Sequence, residues 1–241
     1  MRLPVSEADD GNRIGAFRGL VGVDFESATG PSALRVEVEG RCGDTHALAR
    51  SVDVRSGFFA VEKLTVAPAY VEPPASELDR IREDREKVAR VWQTGDSNRR
   101  WTGPFRLPVD APVRAKSFGS RRVFNGVPRS PHSGLDLAAY AGQEIDAPAP
   151  GRVALAEDLY FSGGTVILDH GAGLFTSYFH LSRLDVKVGD VVAPGGRLGA
   201  AGATGRATGP HLHWAARLEG ARVNPLDLLK LPSWPAAAAD P

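Results

Sequence analysis

The sequence has few of the features that cross-link a chain or anchor it in a membrane. Cys42 is the only cysteine, so an intrachain disulfide cannot form and a thiolate zinc site is excluded. Basic and acidic residues number 29 each, a balance that gives no support for a nucleic-acid partner or an anionic membrane surface. No apolar run approaches the ~20 residues of a membrane-spanning helix. We therefore expect a globular protein with no transmembrane segment and no nucleic-acid partner.

The N-terminal residues also lack the apolar stretch of a signal peptide. The first seventeen, MRLPVSEADDGNRIGAF, contain no apolar core. Two alternatives follow from this: a cytosolic protein, or a chain from which an export segment is missing. The apolar content of 42% and the charged content of 24% are ordinary for a globular protein. A length of 241 residues suits one large domain or two small ones.

Short runs of β-forming residues dominate both halves of the chain, which predicts a mainly β protein. After a flexible lead-in at 1–16, such runs predict a small N-terminal β domain at 17–72. The charged stretch ELDRIREDREKVARVW predicts a helical connector within 73–103, with a solvated charged face. The β pattern returns over 104–230, with no helical pattern of any length between Ser117 and Leu218. The last segment, LPSWPAAAADP at 231–241, predicts a loose tail.

The main functional signal is that five of the six histidines fall in the second β segment. His211 and His213 stand one residue apart in an alternating run that follows the turn-rich AGATGRATGP. Both side chains therefore lie on one face of a predicted strand, where two imidazoles can share a metal ion. An isolated H-x-H is more often an ordinary surface or core pair than a metal site. The remaining histidines in the segment are His132, His170 and His180.

A second candidate motif is HSGLD, in which His132 and Asp136 share one face if the segment is extended. Gly134 between them is predicted to leave room for an ion. Histidine and aspartate both bind zinc, with bonds of ~2.0–2.2 Å. Together with one of the paired histidines they give three protein ligands, the open set of a catalytic zinc site. Because zinc lowers the pKa of bound water toward ~7, these residue types predict metal-assisted hydrolysis, plausibly of an amide.

The other two histidines have more than one interpretation. His180 ends the run LFTSYFH and is either a third imidazole at the site or a strand-end histidine bonded to backbone. His170, in LDHGAG, is interpreted as a turn histidine that the metal site does not require. Histidines that do not bind the metal can take the proton of the water and deliver it to a leaving amine.

Six segments, in order, resemble the lysostaphin-type zinc metallopeptidases, also called the LytM family. They are SFGSRR, HSGLDLAA, GQEIDAPAPGRV, GGTVILDHGAGLFTSYFHLS, VKVGDVVAPGGRLGAAGATGRATGPHLHW and VNPLDLL. The resemblance covers about residues 104–230 and is specific, because four separate motifs occur with family-like spacing. It implies a C-terminal antiparallel β-sandwich of the duplicated hybrid motif type, with the site in a groove on one sheet.

The resemblance also implies a role for each candidate residue. His132, Asp136 and His213 hold Zn²⁺. His180 and His211 flank the metal water, orient or deprotonate it, and stabilise the transition state. The implied substrates are peptide cross-links or stem peptides of bacterial peptidoglycan. The resemblance therefore predicts a zinc metalloendopeptidase.

One expected residue is missing from the pattern. Some family members place a tyrosine shortly before the first ligand histidine as an oxyanion donor, and FNGVPRSPH has none. Tyr140, Tyr160, Tyr178 and His180 are the remaining candidates for that role.

The N-terminal half resembles the extra β domain that precedes the peptidase domain in some Gram-negative members. LVGVDFE, the charged helix and WTGPF carry this likeness. It implies self-inhibition, in which the N-terminal domain covers the groove, and favours directly cross-linked D-alanyl–diaminopimelate stems as substrate. Because family members act outside the cytoplasm, the resemblance also implies a periplasmic or cell-envelope protein whose signal peptide was trimmed.

Two functions other than an enzyme are compatible with parts of the sequence. Some relatives have lost ligands and act as non-enzymatic regulators or activators of other cell-wall hydrolases, whereas this sequence keeps the full set of histidines and aspartate. A lipoyl-like carrier module is suggested by the hairpin VKVGDVVAPGGRLG. Pro194, Gly195 and Gly196 stand at its turn where such a carrier needs a lysine, so we discount it.

Overall fold

The structure is a computed structural model that describes residues 19–39, 45–114 and 117–234. Its strands are β1 (Gly30–Glu39), β2 (Thr45–Val54), β3 (Val61–Leu64), β4 (Arg121–Phe124), β5 (Val127–Pro128), β6 (Gly134–Leu137), β7 (Glu144–Asp146), β8 (Gly151–Leu159), β9 (Gly163–Asp169), β10 (Leu174–Leu184), β11 (Val191–Val192), β12 (Arg197–Ala201), β13 (Leu212–Leu218) and β14 (Ala221–Val223). The helices are α1 (Leu78–Gln93) and α2 (Pro225–Leu228), with 3₁₀ turns at Pro68–Tyr70 and Ala75–Glu77.

Strands β6 to β14 form one nine-stranded sheet with antiparallel pairs, organised around the long strand β10. One edge of β10 pairs with β9. The other edge pairs with β13 from Leu174 to Phe179 and then with β12 from Leu181 onward. His180 stands at this change of partner and has a φ of 65°, a left-handed conformation that costs energy for a residue with a side chain. The bulge therefore separates β10 into two pairing segments and leaves His180 at their junction.

The main core lies along the central strands of this sheet. Tyr178 on β10 and Trp214 on β13 are cross-strand partners, and both are fully buried. All seven residues of β9 are buried, which is why Val166, Ile167 and Leu168 follow one another without polar alternation. Burying each large side chain contributes about 1.5–3 kcal/mol, so this core holds the strands that carry the histidines in fixed register.

Helix α1 packs on the sheet, so it is more than a connector. Its apolar stripe, which includes Val91 and Trp92, contacts a small cluster on β8, β9 and β10. The Trp92 ring meets Phe175 edge to face with centroids 5.2 Å apart. Lys87 pairs with Glu157 of β8 at 2.6 Å. The predicted helix is confirmed, but part of its charged face binds β8 and is not simply solvated.

The predicted fold class is confirmed: the chain is mainly β, with a small N-terminal β region and a helix before the large antiparallel sheet. β1 and β2 pair with each other, and β3 pairs in parallel with β4 of the second half. The segment LVGVDFE does not form a strand; its Asp24 pairs with Arg222 of β14 at 2.7 Å. The predicted domain boundaries stay predictions.

The end of the described chain corrects one expectation. Trp234 is only 8% exposed and packs against Trp101, with ring centroids 5.5 Å apart. A loose tail from residue 231 is therefore wrong as far as Trp234, because the indole completes the core. The rest of the predicted tail and the predicted lead-in at 1–16 lie outside the described residues. Within the described ranges, no helix has the length and apolar character needed to cross a bilayer.

Candidate metal centre

Strands β6 and β13 bring the three predicted metal ligands together. Asp136 and His213 are direct cross-strand partners, and His132 lies just before β6. His132 Nε2 lies 2.7 Å from His213 Nδ1 and 3.1 Å from Asp136 Oδ1. His213 Nδ1 lies 3.1 Å from that same carboxylate oxygen. All three side chains are buried, so two nitrogens and one oxygen converge on one point away from solvent.

The hydrogen bonds around this group decide which atoms face its centre. His132 Nδ1 donates to the Ser117 carbonyl at 2.7 Å, which leaves Nε2 as a lone pair. Lone pairs of two imidazoles and a carboxylate that face one point repel unless a proton or a cation lies between them. Two imidazole nitrogens and one carboxylate oxygen are the three-ligand set of several catalytic zinc sites. The residues present therefore fit a divalent metal ion.

The protonation of the group also suits metal binding. Burial disfavours the charged form of Asp136, but hydrogen bonds to His132 and His213 outweigh this and hold the pKa of the carboxyl well below its usual range. Burial lowers the pKa of His213 to about 3, with the Asp136 hydrogen bond opposing it. At neutral pH Asp136 is a carboxylate and His213 a neutral imidazole, the forms that bind metals.

Neighbouring residues hold the His213 ring in place. The Phe179 ring stacks on it with an interplanar angle of 3° and a centroid distance of 5.0 Å. A Cβ at Gly134 would lie 2.6 Å from His213 Nε2 and 2.6 Å from the Trp214 carbonyl oxygen. The predicted reason for Gly134, room for an ion, is therefore corrected: the absent side chain makes room for the ring of a candidate ligand.

His180 and His211 lie beside the three candidate ligands. His211 Nδ1 donates to the Gly209 carbonyl at 2.8 Å, and its Nε2 lies 3.7 Å from Asp136 Oδ1. His180 Nδ1 donates to the Thr204 carbonyl at 2.8 Å. The two ring centroids are 4.8 Å apart. Burial, and then the charge of His211, lower the pKa of His180 to about 4. Both predicted partners thus join the group with Nδ1 occupied and Nε2 left as a lone pair.

His170 is separate from this group, as its interpretation as a turn histidine requires. The ring is fully buried, Nδ1 donates to the Pro150 carbonyl at 2.6 Å, and Nε2 lies 2.7 Å from Thr176 Oγ1. Burial lowers its pKa to about 4. Both nitrogens are satisfied within the core, which indicates a structural role.

The candidate tyrosines have other partners. The Tyr178 hydroxyl shares a 2.7 Å hydrogen bond with Thr176 in the core. The Tyr160 hydroxyl donates to the Ala69 carbonyl at 2.9 Å, and Tyr140 is 70% exposed. Of the four oxyanion candidates, His180 is the one with a described contact to the histidine group.

Two residues that contact the candidate ligand Asp136, and a third that contacts one of these two, were not predicted individually. Arg122 Nη2 lies 3.2 Å from Asp136 Oδ2, and its Nε lies 3.3 Å from Glu62 Oε2. Ser117 Oγ accepts a 3.2 Å hydrogen bond from the Asp136 amide. Ser117 and Arg122 belong to SFGSRR, so that motif was a usable signal. No sequence motif indicated Glu62, because only the parallel pairing of β3 with β4 brings it next to Arg122.

Comparison with known proteins agrees with this geometry. The sequence profile described as peptidase family M23 matches residues 130–225. A crystal structure described as a peptidase M23 from Pseudomonas aeruginosa is 34% identical and has a TM-score of 0.68, covering 88% of this chain and 78% of that one. The chain belongs to peptidase family M23. The predicted family, that of the LytM and lysostaphin-type enzymes, is therefore confirmed.

Two curated relatives each match about half of this M23 chain. Peptidoglycan DD-endopeptidase ShyA of Vibrio cholerae is 39% identical over 121 residues, which are 49% of this chain and 28% of the relative. A protein of Haemophilus influenzae described as an uncharacterized metalloprotease is 43% identical over 135 residues, or 54% and 28% of the two chains. The chain thus spans less than a third of the length of these relatives.

Proposed function

We propose that this M23 chain is a zinc-dependent endopeptidase that hydrolyses peptide cross-links or stem peptides of bacterial peptidoglycan. The observation that carries the proposal is the convergence of His132 Nε2, Asp136 Oδ1 and His213 Nδ1 on one buried point. The name of ShyA, a peptidoglycan DD-endopeptidase, supports the substrate class. The presence of all three converging groups favours an enzyme over a non-enzymatic regulator built on the same fold.

The donor set supports zinc as the metal. His132, Asp136 and His213 would hold it through two nitrogens and one oxygen, a mixed set that suits zinc better than the all-oxygen sites of magnesium or calcium. When bound, zinc lowers the pKa of a coordinated water toward ~7 and polarises a peptide carbonyl. Arg122 holds the outer oxygen of Asp136 and so keeps the inner oxygen directed at the other two ligands.

His211 would accept a proton from the attacking water, and His180 would orient that water. The Gly209 carbonyl holds the proton of His211 on Nδ1, so Nε2 can accept a proton from the attacking water and pass it to the leaving amine. The low pKa of His180 keeps its ring neutral at pH 7, and its Nε2 can accept a hydrogen bond that orients the same water. The strained backbone of His180 at the β10 bulge supports such a role, because strain of this kind is concentrated at functional sites.

The proposal extends to location and architecture. A protein that cuts peptidoglycan peptides acts in the periplasm or elsewhere in the cell envelope, where its substrate lies. Residues 104–230 would form the peptidase domain, a sandwich of the duplicated hybrid motif type. Residues 17–72 and 73–103 would form the N-terminal β domain and the connector that precede it.

Self-inhibition is a further part of the proposal. No side chain among the five site residues is more than 7% exposed. Residues that cover them must therefore move before a peptide can reach them. Segment 68–71 packs on Tyr160, which lies between β8 and β9: the Ala69 carbonyl accepts from the Tyr160 hydroxyl, and the Tyr70 ring meets the Tyr160 ring edge to face at 5.5 Å. Tyr70→Ala combined with Tyr160→Phe removes both contacts and should speed cleavage of cross-linked peptides. An unchanged rate in this folded double variant would count against self-inhibition by the segment.

The first test is digestion of purified, directly cross-linked sacculi by the zinc-loaded chain. Mass spectrometry of the released muropeptides should show conversion of cross-linked dimers to monomers. A chelator and the His211→Ala variant should each block the conversion. If the chain holds one zinc per molecule and yields no products, even from the Tyr70→Ala and Tyr160→Phe variant, the non-enzymatic regulator becomes the better explanation.

A further inference from the structure

A guanidinium without a carboxylate partner lies next to the histidine group. Arg206 follows Thr204, whose carbonyl holds the His180 ring, and the Arg206 amide donates to the Phe161 carbonyl at 2.8 Å. Its Cζ lies 4.8 Å from the centroid of the Phe161 ring and 4.9 Å from that of Phe124. In the part of the chain that the structure describes, no carboxylate lies within ion-pair distance of Arg206.

Two more arginines border the same place. Arg122 Cζ lies 5.9 Å from the Phe124 ring, and the Arg129 amide donates to the Arg122 carbonyl at 2.9 Å. Arg129 Nη2 donates to the Val71 carbonyl at 2.6 Å, while its buried Nε has no hydrogen-bond partner. The structure therefore gathers three guanidinium groups, which we call the arginine corner: Arg122, Arg129 and Arg206.

The charges in this corner are unbalanced. Arg122 is paired with the carboxylates of Glu62 and Asp136. Among the described residues, no carboxylate forms an ion pair with Arg129 or Arg206. Burial, and then the charges of Arg122 and Arg129, lower the pKa of Arg206 to about 10, so Arg206 stays protonated at pH 7. Like charges held together and partly out of water cost stability unless an anion joins them. A divalent metal ion beside Asp136 would add to the excess of positive charge.

The aromatic rings define which part of Arg206 is open to a ligand. Phe124 and Phe161 occupy positions typical of cation–π contact. These contacts leave the N–H donors of Arg206 without a protein acceptor in the described chain. A planar guanidinium with free N–H groups matches the two oxygens of a carboxylate, to which it can donate two parallel hydrogen bonds. Arg129 in the same corner already donates a hydrogen bond to an oxygen, the Val71 carbonyl.

We propose that Arg206, with Arg122 and Arg129 beside it, binds a free carboxylate of the substrate close to the amide that the histidine group hydrolyses. This inference rests on the proposed function and narrows its substrate class. The preferred substrate is a peptide with an acidic group next to the scissile bond, such as a D-alanyl–diaminopimelate cross-link. An uncharged bridge such as polyglycine lacks the group that the arginine corner binds.

The test compares two cross-linked peptides that differ at one group. In one, the diaminopimelate carboxyl nearest the cross-link is free, and in the other it is a carboxamide. The zinc-loaded full chain should cleave the free acid at least 10-fold faster in kcat/KM, chiefly through a lower KM. Arg206→Gln should reduce that ratio to near one, chiefly by raising KM for the free acid. A ratio that persists in Arg206→Gln overturns the proposal.

A matched control uses another arginine that lies over an aromatic ring. Arg217 Cζ is 5.0 Å from the Trp92 ring, and Arg217 lies four residues beyond His213 on β13. Arg217→Gln should keep the preference for the free acid. Loss of the preference in both variants would indicate a general effect of removing a half-buried arginine and would contradict the proposed subsite.

A binding measurement separates this inference from the proposed function. Zinc-loaded His211→Ala should bind the acid peptide at least 10-fold more tightly than the amide in calorimetry, whether or not the wild type cleaves either. Adding Arg206→Gln should abolish the difference, with circular dichroism and thermal unfolding confirming that the variant is folded. Equal binding of the two peptides, or binding of neither, overturns the carboxylate subsite. Failure of cleavage alone contradicts only the endopeptidase.

Discussion

The strand β10 lies next to two sets of buried histidines that differ in one respect. At its start, His170 has both ring nitrogens bonded, to the Pro150 carbonyl and the Thr176 hydroxyl. Farther along, at the bulge, His180 has only Nδ1 bonded, to the Thr204 carbonyl. Burial lowers the pKa of both rings to about 4. A depressed pKa therefore does not distinguish a structural histidine from a functional one; the unused nitrogen does.

The same contrast applies to the whole metal centre. His132 Nε2, His211 Nε2 and His213 Nδ1 all lie within 4 Å of Asp136 Oδ1, whereas the described contacts of His170 include no carboxylate. Backbone carbonyls fix the tautomers of His132, His180 and His211 so that each Nε2 is unprotonated. Unprotonated nitrogens around a carboxylate form a candidate metal centre, while nitrogens with hydrogen-bond partners in the core stabilise the fold. The following predictions test this contrast.

The largest effect is expected from Asp136→Ala. It removes the oxygen on which the imidazoles converge, so the chain should lose its zinc and its cleavage of cross-linked peptides together. Metal analysis by mass spectrometry and muropeptide release measure the two losses. His132→Ala should behave in the same way, and a variant with full zinc occupancy would show that the converging residues are not the ligands.

His211→Ala should reduce kcat about 10²–10⁴-fold, the usual contribution of a positioned general base, while zinc content stays near that of the wild type. The reason is that His211 Nε2 lies 3.7 Å from Asp136 Oδ1, farther than the nitrogens of His132 and His213, which lie 3.1 Å from that oxygen. Steady-state kinetics and metal analysis separate the two outcomes. Zinc content as low as that of His132→Ala would overturn this assignment of roles.

Arg122→Gln should weaken zinc binding about 10–100-fold, as loss of a residue that orients a ligand commonly does. Arg122 holds Asp136 Oδ2, so the change frees the carboxylate to turn. Competition with a chromophoric chelator measures the affinity. Glu62→Gln is the matched control: it removes the other partner of Arg122 and should leave zinc affinity within about 10-fold of the wild type. Equal losses in the two variants would contradict the orienting role.

His170→Gln should leave zinc content unchanged and lower the free energy of unfolding by about 1–3 kcal/mol, because it disturbs two buried hydrogen bonds. Denaturant unfolding of the zinc-loaded chain measures the change. A variant that kept full stability but lost zinc would reverse the contrast between the two sets of histidines.

The pH dependence of stability gives a second measurement on the same variant. The folded pKa of His170, about 4, is below its ordinary value of 6.5, so the unfolded chain binds more protons between these values. The stabilising contribution is present above pH 6.5 and is lost as the pH falls toward 4. His170→Gln should therefore show a shallower decline over this range than the wild type, and an identical decline would mean that His170 does not contribute.

Much of the metal centre could be predicted from local sequence. The alternation in HLHW and the spacing of HSGLD place their polar side chains on one strand face, and the two strands then pair with Asp136 opposite His213. The resemblance to a known family selected His213 as the ligand of the pair. The mainly β fold and the helix at Leu78–Gln93 also followed from local patterns, because period-two and period-3.6 spacings are properties of a short stretch of chain.

Other features depend on which distant segments meet, and no short-range pattern encodes that. Glu62 reaches Arg122 only through the parallel pairing of β3 with β4. Trp234 is held in the core by Trp101, far away along the chain. Gly134 is needed because the ring of His213 fills the space that a side chain at residue 134 would occupy. The sequence by itself determined the chemical groups and their strand faces, since these follow from residue type and backbone period. Only the tertiary structure decided which nitrogens stay free, which carboxylate they surround and which arginines border them, because those are contacts between residues far apart in the chain.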